Sequence, residues 1–116
     1  PAPESDHISL KESLTEWSDT LVWLSEADLK APIAIYGAGF YGSLAASRRR
    51  DVLCFLDRNP RLIGQTHMGI PVLSPEACPV NVCSVLVALN PARAREIIGD
   101  NPTWSPAGAS LIFFGE

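Results

Sequence analysis

Apolar residues change their period along this chain, and the changes mark its elements. Leu10, Leu14, Trp17, Leu21 and Leu24 recur at alternating steps of four and three, which sets them along one side of a helix between Ser9 and Leu29. Ser9 and Glu12 fit a capping box at its start. The stripe is narrow and close to a heptad seam, so it could pair with another helix. It covers fewer than three heptads, however, so the stronger expectation is docking onto this domain or a neighbouring one.

From Ile33 the pattern becomes short apolar runs separated by turn residues. Ile33-Ala34-Ile35-Tyr36 reads as a buried strand ending at a glycine, residues 40–50 as a helix, and Val52 to Leu56 as a second strand closed by Asp57 and the turn Arg58-Asn59-Pro60. Gly64 and Gly69 punctuate a loop before a short strand, Ile70 to Leu73. Pro71 predicts a sheet edge for that strand because proline donates no ladder hydrogen bond. Ser74-Pro75-Glu76 has the form of a helix start, cut to about one turn by Pro79. Val82 to Leu89, almost continuously apolar, predicts the central strand. Asn90 and Pro91 then cap a helix that carries Ile97 and Ile98 to the core and stops at Gly99, and Leu111 to Phe114 form the last strand.

This alternation predicts an α/β, three-layer Rossmann-like fold. Its mostly parallel five-stranded sheet has the order 3-2-1-4-5, with an additional N-terminal amphipathic helix. Residues 1–31 form the tail and helix, and residues 32–116 the binding domain. The start at Pro1 and the stop at Glu116, directly after an apolar strand, suggest a segment of a longer protein.

Composition narrows the function classes. The chain of 116 residues is 47% hydrophobic and 19% charged, as expected of one folded domain. A net charge of -4 leaves no broad basic field for a nucleic-acid backbone. Arg48, Arg49 and Arg50 form the one basic run and fall at an expected helix end, where cations meet the negative pole of the helix dipole. Cys54, Cys78 and Cys83 lack the close pairing of zinc or redox motifs and fit a reducing cytoplasm. No stretch approaches the length of a membrane span.

The chemistry-bearing motif is Gly37-Ala38-Gly39-Phe40-Tyr41-Gly42, a G-x-G-x-x-G run between a predicted strand and a predicted helix. In a nucleotide loop Gly37 permits the tight turn, Gly39 admits a pyrophosphate to the backbone, and Gly42 lets the helix pack close to the sheet. Backbone N–H groups around Gly39 to Tyr41 would face the phosphates at the helix N-terminus. Asp57 stands 20 residues after Gly37, at the next strand end, where a carboxylate accepts from ribose hydroxyls. That carboxylate disfavours a 2'-phosphate, whereas the adjacent Arg58 could accept one. Asn90, at the end of the expected central strand, lies near the crevice, although capping the next helix is its stronger role. Against ligand binding stands a purely structural reading, in which the glycines serve packing and Asp57 starts a turn.

Three stretches, "IAIYGAGFYG", "VLCFLDRNPRLIGQTHMGIPVLSPE" and "VLVALNP", resemble the small Rossmann-type domain attached to bacterial surface-polysaccharide enzymes. Such domains accompany sugar O-acyltransferases, nucleotide-sugar dehydratases and FkbM-type methyltransferases. The resemblance covers roughly residues 32–91 and implies binding of NAD or NADP, or else of a nucleotide sugar or S-adenosylmethionine, at Gly37, Gly39, Gly42 and Asp57. The expected partners are such a small molecule and, through the N-terminal helix, a neighbouring domain or a second copy. The alternative is a ligand-free docking domain attached to a methyltransferase or other transferase.

No catalytic set accompanies the motif. Lys11 and Lys30 both precede the glycine loop and neither follows a tyrosine, so the Tyr-x-x-x-Lys pair of short-chain dehydrogenases is absent. His7 and His67 occur without a nucleophile elbow, and with the dispersed cysteines they make no metal motif.

Overall fold

The computed structural model describes residues 29–90, 93–99 and 102–113. The stripe from Leu10 to Leu24, on which the N-terminal helix and its docking role were expected, lies outside them. In chain order the elements are β1 (Ile33–Tyr36), α1 (Phe40–Arg48), β2 (Val52–Leu56), β3 (Thr66–His67), β4 (Ile70–Leu73), a 3-10 turn (Pro75–Ala77), β5 (Ser84–Val87), α2 (Ala94–Ile98) and β6 (Ser110–Phe113).

They form one six-stranded sheet in the order β3-β4-β2-β1-β5-β6. β1 pairs in parallel with both β2 and β5, β2 with β4, and β5 with β6, whereas β3 and β4 are antiparallel. This corrects the expectation of a mostly parallel five-stranded sheet in a three-layer Rossmann-like fold. The sheet is mixed and has six strands, and the described residues contain only two α-helices, one of five residues. The physical reason lies in the connections. Between β2 and β4 the chain makes turns and the β3 hairpin strand, and between β4 and β5 only a 3-10 turn, so neither crossover builds a helical layer.

The hairpin also corrects the expected position of Pro71. β3 covers the outer edge of β4 by pairing Thr66 with Pro71 and His67 with Ile70. Met68 and Gly69 make the connection with φ of 55° and 77°, the left-handed pair of a tight hairpin turn. Proline is tolerated because the parallel register with β2 begins only at Val72, one residue beyond the missing N–H.

Strands alternate their side chains between two covered faces. On one face Ile33, Ile35, Phe55 and Leu86 are buried with Ala45 and Ala46 of α1. On the other, Ala34, Tyr36, Leu56 and Val85 are buried, with Trp104 and Leu111 packed against them. Every residue of β1 and of β5 is buried, as a near-continuous apolar run predicts for central strands. Each large side chain so placed contributes about 1.5–3 kcal/mol relative to exposure.

α1 ends at Arg49, whose extended backbone (φ -133°, ψ 145°) turns its guanidinium onto Asp51 at 2.9 Å. α2 is Ala94–Ile98 with Arg93 as its N-cap, and because consecutive helical residues lie about 100° apart, Ile97 and Ile98 do not point the same way. Ile97 is 54% exposed, and only Ile98 packs against the core.

Candidate functional site

The glycine loop leaves the carboxyl end of β1 between β2 and β5. Gly37 N–H donates to Leu56 O at 2.7 Å, and Ala88 N–H donates to Tyr36 O at 2.9 Å. Gly37 has φ +107°, and a Cβ there would lie 2.9 Å from Ala88 O, so conformation and space both demand glycine. Gly42 is equally constrained by space, because a Cβ would lie 1.8 Å from Gly37 O. The first turn of α1 therefore rests directly on the loop carbonyl.

Gly39 differs. It is exposed, it caps α1, and a Cβ built on it meets nothing within 4 Å. Phe40 beside it is 56% exposed and meets the edge of Tyr41 at 5.5 Å.

Asp57 reaches back to the loop. Its Oδ2 accepts from Ala38 N–H at 3.0 Å and its Oδ1 from Asn59 N–H at 2.8 Å. The carboxylate expected to face a ribose thus also ties the end of β2 to the glycine turn. Each oxygen retains a second lone pair for a ligand hydroxyl. Arg58 points to the 3-10 turn, its Nη1 3.2 Å and 3.0 Å from the two carboxylate oxygens of Glu76. The Tyr36 hydroxyl faces the same guanidinium. Burial pushes the phenol pKa up while the Arg58 charge opposes that shift. Tyr36 is stacked on Trp104 with ring centroids 5.1 Å apart.

Asn90 is exposed and two residues beyond Ala88, at the same end of the sheet as Gly37. It was expected to cap the following helix, but the N-cap of α2 is Arg93; the Asn90 backbone carbonyl accepts from Arg93 and Ala94 N–H at 2.9 Å each.

Sequence reasoning missed a serine-histidine contact. Ser43 Oγ donates to Gly39 O at 2.9 Å and lies 2.6 Å from His67 Nε2, while the His67 ring meets the edge of Phe55 at 5.2 Å. One hydroxyl hydrogen cannot serve both partners. With it on Gly39, the imidazole nitrogen carries a proton and donates to Oγ. Among the described residues no carboxylate hydrogen-bonds His67, so the pair lacks the third group that orients a catalytic histidine. Its evident work is to fasten the β3-β4 hairpin to α1. Ser43 and His67 are 24 residues apart in separate elements, and Arg58 and Glu76 are 18 apart, so no local spacing signalled either pair.

All three cysteines are free thiols. Burial, with a smaller contribution from nearby Cys78, pushes Cys54 up to about 11, and burial also raises Cys78, so neither is an activated nucleophile. Among the described residues no three His, Cys, Asp or Glu side chains are grouped to hold a metal ion, and no helix is long and apolar enough to cross a membrane. Compared with known proteins, the chain matches no family model and no curated protein.

Proposed function

We propose that this chain is the nucleotide-binding module of a larger enzyme, taking the phosphates of NAD, NADP or a nucleotide sugar over Gly39 and the ribose beside Asp57. The observation that carries this reading is the contrast among the three loop glycines. Packing accounts for Gly37 and Gly42, whereas Gly39, the N-cap of α1, faces open space, and its lack of a side chain leaves the backbone there open to the close approach of a ligand. The resemblance of residues 32–91 to domains of surface-polysaccharide enzymes supports sugar modification as the parent's activity. The free thiols support a cytoplasmic setting.

Calorimetry with NAD, NADP, a nucleotide sugar and S-adenosylmethionine tests the reading. The expected result is saturable binding of at least one, lost in Gly39→Val, whose circular dichroism and melting stay close to those of the parent chain. Absence of binding to all four by the folded chain would overturn it.

A second reading, a ligand-free docking domain, is favoured by the two backbone hydrogen bonds of Asp57. In that case Asp57→Ala lowers stability by about 2 kcal/mol and no ligand restores it, whereas a binding site regains stability on ligand saturation.

A further inference from the structure

We propose that Glu76 selects against a 2'-phosphorylated ribose by holding the Arg58 guanidinium away from the ligand. The inference rests on the nucleotide-binding reading above and adds its specificity determinant.

Asp57 and Arg58 are consecutive at the carboxyl end of β2, so a ribose bound by the carboxylate lies within reach of the arginine that could recognise a phosphate on it. The guanidinium has other partners. Both Glu76 oxygens lie within 3.2 Å of Nη1, and the Tyr36 hydroxyl also interacts with the guanidinium. Tyr36 itself cannot swing aside, because it is buried and stacked on Trp104. The guanidinium is therefore engaged by both a fixed phenol and a carboxylate.

Charge reinforces the geometry. Asp57 and Glu76 contribute two negative charges against one positive charge on Arg58, so the ribose corner is net negative. A 2'-phosphate entering there must draw the guanidinium from Glu76 or share it, and either way a second anion comes to lie beside Glu76. An unphosphorylated ribose disturbs neither group. Because the pair is exposed, its hold on Arg58 is modest and the discrimination is finite.

The test is titration of the chain, Glu76→Gln, Arg58→Met and the double variant with NAD and with NADP at one ionic strength. The expected result is that the parent chain binds NAD about tenfold more tightly than NADP. Glu76→Gln narrows the gap to about twofold by tightening NADP alone, and adding Arg58→Met removes that gain. Equal affinity for the two dinucleotides in the parent chain, or a Glu76→Gln variant that retains the gap, overturns the role of Glu76 and leaves the binding reading intact. Binding of neither dinucleotide by the folded chain overturns this inference, and the binding reading falls with it only if the nucleotide sugar and S-adenosylmethionine also fail.

Discussion

Gly42→Ala should destabilise the protein, although helix propensity alone predicts the opposite. Gly42 lies in the first half of α1, where alanine is preferred over glycine by about 1 kcal/mol. The added methyl, however, would sit 1.8 Å from Gly37 O, 2.9 Å from Gly37 C and 3.3 Å from Phe55 Cε1. An ordinary contact needs roughly 3.5 Å, so helix and loop must separate by more than about 1.5 Å.

The loop cannot yield cheaply, because Gly37 N–H is held by Leu56 O at 2.7 Å and Ala88 lies so near that a Cβ on Gly37 would come within 2.9 Å of its carbonyl oxygen. If α1 moves instead, buried Ala45 and Ala46 lift from Ile33, Ile35 and Phe55. A gap of even about 1 Å forfeits up to half of each dispersion contact. Overpacking usually costs about 1–3 kcal/mol, and a clash with fixed backbone belongs at the upper end, so the net loss after the propensity gain is about 2–3 kcal/mol.

Urea unfolding followed by circular dichroism should show the midpoint falling by about 1–2 M at unchanged slope. Gly39→Ala, which enters open space, should lose less than about 1 kcal/mol. A Gly42→Ala protein as stable as the parent, or more stable, would refute the close helix-loop contact and the reason given for this glycine.

Other expectations follow from single contacts. Arg49 hydrogen-bonds both Asp51 oxygens and holds that carboxyl below the usual carboxylate range. The resulting stability is present above the unfolded carboxylate pKa and lost as pH falls through the folded one. Asp51→Asn should therefore be less stable than the parent at pH 7 and indistinguishable at pH 2 by urea midpoint; a constant gap would contradict the assignment. Cys54, with its thiol raised to about 11 and its side chain buried, should react with Ellman's reagent at pH 8 only as fast as the protein opens. Peptide mapping that finds Cys54 labelled as early as Cys83 would rule this out. Ser84 Oγ is buried with no hydrogen-bond partner among the described residues, so Ser84→Ala should leave the protein equally stable or up to about 1 kcal/mol more stable by thermal melting, and a clear loss would reveal a further partner.

The strand, glycine turn and helix from Ile33 to Arg48 were legible because each is dictated locally. A short apolar run makes the strand, glycine permits the turn, and a stretch with Leu44, Ala45 and Ala46 continues as helix. The β3 hairpin was not legible, since Thr66 and His67 have no apolar alternation and the turn uses Met68 in a conformation that non-glycine residues seldom adopt. Ile97 was misplaced because adjacent helical positions point about 100° apart, and α2 turns Ile98 rather than Ile97 to the core.

At the site, the positions of Gly37, Gly42 and Asp57 around one loop followed from the sequence, since backbone freedom and strand ends are local properties. Which glycine supports packing and which faces open space was decided by the approach of Ala88 to Gly37 and of α1 to the Gly37 carbonyl. The engagement of Asp57 with Ala38, Arg58 with Glu76 and Ser43 with His67 was likewise tertiary. A side chain's own chemistry fixes what it can bond, but its partner is whichever group the sheet order brings within about 3 Å, and that order depends on contacts between residues far apart in the chain.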